Sequence, residues 1–231
     1  MNHVFDGTVQ IAGVIDRAEA DLLVACGVEW LGFPLRLAFH REDITDADAA
    51  AIVRALPSYV RAVLITYLTN ADEIAALAAS LGVAAVQLHA DVSRDEIVQL
   101  RERAPRLLVI KSLVVRPYGT DTLDAAARAL APLIDAFLTD TFDPATGATG
   151  ATGLTHDWSV SARLAAATAK PVILAGGLRP ANVAAAIARV RPAAVDAHTG
   201  VEGSDGRKRR DLVETFVAEA KRAFARGAPA S

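Results

Sequence analysis

The chain of 231 residues is 52% hydrophobic, 22% charged and 5% aromatic, a balance that excludes a disordered tail or a collagen-like rod and leaves room for a full core. Its 24 basic and 27 acidic side chains give a formal charge of −3 and are spread over many segments, which argues against nucleic acid as the main partner. The single cysteine, Cys26, allows no internal disulfide, and no apolar run approaches the roughly 18 residues of a membrane span or follows a basic n-region, so a cytoplasmic protein without membrane contact is expected.

Short β-branched apolar runs alternate with Ala/Leu-rich stretches of helical period, about eight times over. Strands are expected at 9–14, 29–34, 61–68, 84–89, 107–115, 136–141, 171–176 and 193–198. Several intervening helices carry a start signal: Thr45, Asn70 and Ser93 as caps, Pro180 at the opening of ANVAAAIARV, and Asp157 beside His156 and Trp158. No linker or change of composition divides the chain, so residues 1–231 read as a single domain. Parallel strands separated by helical crossovers, in a chain of this length, match a closed (β/α)8 TIM barrel of α/β class, because closure removes sheet edges. An open doubly wound sheet would place G-x-G-x-x-G after its first strand, where IAGVID offers one glycine.

Barrel chemistry sits at the C-terminal ends of the strands, so polar residues there are the candidates. Gln10 and Ala12 end the first strand, Gln87 and His89 the fourth, Lys111 the fifth, Asp140 the sixth, and Asp196 and His198 the eighth. An apolar packing layer would not select Asp140 or Asp196, although barrel interiors also hold satisfied polar groups. Three Ala-Thr-Gly triplets at 145–153, Gly176-Gly177 and Thr199-Gly200 lie in the last three loops, where backbone N–H groups can approach a phosphate. The basic run Arg207-Lys208-Arg209-Arg210 reads as a solvated face leading into the last helix. The five histidines have no zinc-like spacing, and no metal is expected.

In order, the motifs LGF (31–33), VQLH (86–89), VIKSL (109–113), LTDT (138–141), GATGLTHDW (150–158), ILAGGL (173–178), ANV (181–183) and VDAHTGVE (195–202) resemble phosphoribosylanthranilate isomerase. The resemblance runs from about residue 9 to residue 225. It implies a (β/α)8 barrel of tryptophan biosynthesis that performs an Amadori rearrangement without metal or cofactor. In that reaction an acid opens the sugar ring and a base removes the C2 proton of the resulting imine. Matched by motif, Asp140 is similar to the family's general acid. Gly153, Gly176, Gly177, Thr199 and Gly200 are similar to its phosphate-binding positions, and Arg41, in Phe39-His40-Arg41, to the arginine of its Ser-Pro-Arg motif. Asp196 is shared.

Besides Phe39-His40 in place of Ser-Pro, the chain departs from the family at two further motifs. The family opens with Lys-x-Cys-Gly, whose cysteine is the base, whereas this chain reads Gln10-Ile11-Ala12-Gly13, and a methyl cannot take a proton. Cys26, expected at the end of the first helix, is a packing residue too distant to substitute. The family's Ser-Ser-Gly-Val-Glu becomes His198-Thr199-Gly200-Val201-Glu202, which brings an imidazole to the phosphate loop. Two readings follow. In one the chain isomerises a phosphorylated ribosyl-amine or related sugar phosphate, as a monomer or homodimer, with the base relocated to His198, His89 or Asp196. In the other the barrel runs a different sugar-phosphate reaction or only binds a phosphorylated ligand.

Overall fold

Eight parallel strands, hydrogen-bonded in chain order, close on themselves where β1 (Thr8–Ala12) meets β8 (Ala194–Ala197). The computed structural model describes residues 4–38, 42–115, 120–141 and 157–227. Between those two strands lie β2 (Trp30–Pro34), β3 (Arg61–Thr66), β4 (Ala85–Leu88), β5 (Leu108–Val115), β6 (Ala136–Thr141) and β7 (Val172–Leu174). The helices are α1 (Arg17–Ala25), α2 (Asp46–Arg54), α3 (Ala71–Leu81), α4 (Arg94–Arg103), α5 (Thr120–Leu130), α6 (Trp158–Ala167), α7 (Val183–Val190) and α8 (Arg210–Gly227). Among the described residues no helix is long and apolar enough to cross a membrane.

The apolar runs form strands because both of their faces are buried, which is the requirement of a parallel barrel wrapped in helices. Alternate residues divide into two apolar clusters. One fills the lumen with Trp30, Val63, Ile65, Ile110, Leu138 and Ile173. The other lies between barrel and helices, where Leu31, Phe33, Leu64 and Phe137 join Leu23, Ile74 and Phe216. Phe5 closes the N-terminal end of the lumen, its ring centroid 5.2 Å from that of Trp30.

Thr45, Asn70, Ser93 and Asp157 cap their helices as expected, each side chain accepting from a backbone N–H of the first turn. Pro180 does not open its helix. The Asn182 side chain instead accepts from Arg179 N at 2.8 Å and donates to Gly177 O at 3.0 Å, closing a turn that delays α7 to Val183. Lys111 does not end its strand either, since β5 runs four residues further. Neighbouring Ile110 points into the lumen, so Lys111 points towards the helices, where its Nζ donates to Ser112 O at 2.7 Å and Leu88 O at 3.4 Å. The expected seventh strand, 171–176, contracts to three residues and leaves Ala175, Gly176 and Gly177 free to turn.

Asn70 Oδ1 accepts from both Asp72 N at 3.0 Å and Glu73 N at 3.1 Å. Asn70→Ala is therefore expected to lower the unfolding free energy by about 1 kcal/mol, read as a lower urea midpoint at constant m-value. An unmoved midpoint would show that the cap adds nothing to stability.

Candidate active site

The lumen phase of each strand decides which side chains meet at the C-terminal end of the barrel. On β1 and β8 it passes through Gln10 and Ala12 and through Asp196 and His198, with Gln10 and Asp196 directly paired. On β6 it ends at Asp140, and beyond β4 it reaches His89. Asp140, Gly176, Gly177, Asp196, His198, Thr199 and Gly200 line one pocket over β6, β7 and β8. Arg41 and Gly153, with the rest of the Ala-Thr-Gly triplets, lie outside the described residues.

Gly176 and Gly177 hold consecutive positive φ angles, 89° and 62°, a path closed to most side chains that turns the backbone over the pocket. A Cβ on Gly200 would stand 1.9 Å from Leu178 O, so the loops after β7 and β8 touch backbone to backbone. Thr199–Val201 form a 3-10 turn at this contact. Backbone curved in this way forms a concavity suited to a phosphate.

Two buried carboxyls share the lumen. Asp140 is pushed up to about 6 by burial, against the opposing effect of Thr141, whose N–H donates to Asp140 Oδ1 at 2.7 Å. Asp196 is raised well above the usual carboxylate range, first by burial and then by the charge of Asp140, with Gln10 and Lys208 opposing. Its Oδ1 is buried without a hydrogen-bond partner among the described residues. Two such carboxyls cannot both ionise at little cost, so one keeps its proton.

Across the lumen runs a neutral chain. Gln10 Nε2 donates to Gln87 Oε1 at 3.0 Å, and Gln87 Nε2 lies 2.6 Å from His89 Nε2. With the Gln87 amide as donor, His89 Nε2 accepts and the ring proton sits on Nδ1, which is buried without a partner among the described residues. Burial, reinforced by the Lys111 charge, pushes His89 down to about 3, so its imidazole is neutral at physiological pH. Tyr67, one lumen step beyond Ile65, stacks on it at 5.4 Å.

Ala12 stands at the mouth of β1 with its methyl against Gly32. The neighbouring Gly13 has φ 84°, and a Cβ there would fall 2.1 Å from His198 Nε2. The imidazole therefore lies flush on the backbone next to Ala12. His198 Nε2 is 3.3 Å from Glu202 Oε1, and the same oxygen is 2.5 Å from Lys208 Nζ. Lys208 is thus no member of a solvated face. Its side chain is only 1% exposed because Glu202 and Gly13 O, 3.4 Å away, draw it inward. Of the basic run, Arg207, Arg209 and Arg210 do pair at the surface, with Asp16, Asp211 and Glu214. Cys26 caps the end of α1 beside Arg210 and Glu214, on the helical layer. Sequence reasoning had not singled out Tyr67, Gly13, Glu202 or Lys208 as site residues. Lumen phase would have found Tyr67, but nothing in a run of four basic residues marks the one that turns inward. Among the described residues no group of three or more His, Cys, Asp or Glu is placed to hold a metal ion.

The model of the N-(5'-phosphoribosyl)anthranilate (PRA) isomerase family matches residues 32–219, a segment that begins within β2. The chain is 38% identical over 217 residues to N-(5'-phosphoribosyl)anthranilate isomerase 2 of Methanosarcina mazei, covering 94% of this chain and 95% of that one. It is 37% identical over 222 residues to the Haloferax volcanii isomerase, covering 95% of each. Among solved structures, the phosphoribosylanthranilate isomerase of Thermotoga maritima superposes with a TM-score of 0.78 at 32% identity, over 93% of this chain and 98% of that one. Another isomerase structure, in complex with reduced 1-(o-carboxyphenylamino)-1-deoxyribulose 5-phosphate, superposes at 0.76 with 30% identity over the same shares.

A carboxyl whose pKa rises on folding from 3.8 to about 6 binds its proton more tightly in the native state. Its contribution to stability is full below about pH 3.8 and is lost as pH rises through about 6. Asp140→Asn should therefore gain thermal stability over the unsubstituted protein as pH rises across that window, and the gain should level off above it. Melting curves of both proteins from pH 4 to 8 measure this, and a constant offset would show that Asp140 ionises normally.

Proposed function

The chain belongs to the N-(5'-phosphoribosyl)anthranilate isomerase family, and from that premise we propose that it converts N-(5'-phosphoribosyl)anthranilate to the corresponding 1-amino-1-deoxyketose by an Amadori rearrangement. The glycine loops after β7 and β8 seat the phosphate. Arg41 and Gly153 enter as further substrate-binding residues on the resemblance alone. Asp140 gives its proton to the ring oxygen, and the sugar opens to an imine. The imine acidifies the C2 hydrogen, a base removes it, and the enamine rearranges to the ketone. An acid near pKa 6 suits this work, since it is available as a donor and regains its proton readily at neutral pH.

Of the three candidate bases, two are poorly suited. Asp196 keeps its proton, and we assign it as a neutral hydrogen-bond donor to a substrate hydroxyl. His89, lowered to about 3, is too weak a base and serves as a neutral hydrogen-bonding group. His198 is the base in this reading. The observation that carries it is the seating of the ring on Gly13, the residue that follows Ala12, whose methyl stands where the family's thiol belongs. A barrel that only bound phosphate would have no use for a carboxyl and an imidazole facing one pocket. We further propose a cytoplasmic enzyme, monomer or homodimer, whose one cysteine fits a reducing compartment.

The test is turnover of N-(5'-phosphoribosyl)anthranilate, followed by loss of its fluorescence. Asp140→Asn and His198→Ala should each lower kcat by about 10²–10⁴-fold, while inorganic phosphate still raises the melting temperature of both variants. Absence of turnover by the unsubstituted protein would overturn the proposal. Full activity of either variant would remove that residue from the mechanism.

A further inference from the structure

We propose that Glu202, clamped by Lys208, is a positioning residue that sets the tautomer and orientation of His198, so that the loop between β8 and α8 is part of the acid–base machinery. The inference deepens the proposed function and rests on His198 being its base.

Glu202 and Lys208 pair as an antiparallel bridge, and Gly203 N donates to Arg207 O at 2.8 Å, so the loop closes on itself. It is also fastened to the segment after β1. Lys208 N donates to Glu19 Oε1 at 2.8 Å, while Glu19 Oε2 accepts from Ile15 N at 3.2 Å and Arg207 pairs with Asp16. The imidazole of His198 is held between these parts, with Gly13 beneath it and Glu202 at its Nε2.

A carboxylate 3.3 Å from Nε2 keeps the proton on that nitrogen and leaves Nδ1 as the basic atom. The buried ammonium of Lys208 shares the same carboxylate oxygen and compensates its charge. Packing alone explains why a buried lysine needs a carboxylate. It does not explain why the oxygen that receives Lys208 is the one turned to His198.

The experiment reads the ring and the reaction separately. In 15N-labelled protein the imidazole nitrogen shifts report each tautomer, with His198 assigned by the signals that vanish in His198→Ala. The unsubstituted protein is expected to show the Nε2–H form, and Glu202→Gln to lose that bias. Because Glu202→Gln strands the Lys208 ammonium, Glu202→Gln/Lys208→Met is measured beside it to keep the site folded and free of an unpaired charge. Both should lower kcat by about 10–100-fold, as for other carboxylates that orient an imidazole, with KM within about twofold. In the His198→Ala background the same changes should cost nothing more. An unmoved tautomer, or an equal loss of kcat in both backgrounds, would overturn the clamp and leave His198 as base untouched. Full turnover by His198→Ala would instead overturn the base, and the catalytic purpose of the clamp with it.

Discussion

Asp140 and Asp196 face a common buried lumen, and the repulsion between two carboxylates in such a place constrains every other polar group around them. The lumen answers with neutral partners. The family's motif has a lysine where this chain has Gln10, whose amide lies in register with Asp196 and continues through Gln87 to a neutral His89. Lysine side chains are kept to the edges. Lys111 leans out to backbone carbonyls between barrel and helices, and Lys208 is tied to Glu202. With little positive charge inside, one carboxyl retains its proton and the other titrates close to neutrality. The acid role proposed for Asp140 depends on that division.

The fold was legible because its signals are local and repeated. Each apolar run is buried on two faces, each strand is followed by a crossover helix, and caps such as Asn70 and Ser93 act within three residues of themselves. The placement of Asp140 and the glycine loops at one pocket was legible for a related reason, since two-residue alternation fixes which side of a strand a residue takes. Failures occurred where a residue's neighbours are distant in the chain. Pro180 loses the start of its helix to hydrogen bonds made by Asn182, and Lys111 falls in the wrong strand phase for the lumen. Lys208 looks like surface until Glu202 and the carbonyl of Gly13, a residue 195 positions away, are placed beside it. His89 reads as a base on paper, but burial removes that property, and burial is not a feature of one residue's letter.

The barrel also offers a route by which the proposed base can sit on a different strand from the family's thiol while Asp140 keeps its place. Closure makes β1 and β8 hydrogen-bonded neighbours although they are the first and last strands of the sheet. Neighbouring strands lie about 4.8 Å apart, so a side chain at the end of either can serve one point at the mouth of the lumen. On the proposed reading, the thiol position of β1 has become a methyl and a longer side chain from β8 covers the gap. Asp140, on β6, has no such partner across the seam and keeps its position.

That exchange needs space, and Gly13 supplies it. Any side chain at position 13 would collide with the imidazole, whose Nε2 would lie 2.1 Å from the new Cβ, and the φ of 84° would itself disfavour one. His198 alone would still be a half-exposed side chain on a turn, able to rotate away. Fixing it requires a partner for the ring, and the β8 loop carries one in Glu202, which meets Nε2 and is already held by Lys208. A pair that stabilises the loop is thereby in position to orient a base. On the proposed reading the base therefore comes from the end of β8 and not from His89, whose hydrogen bonds and burial are set by the neutral chain across the lumen.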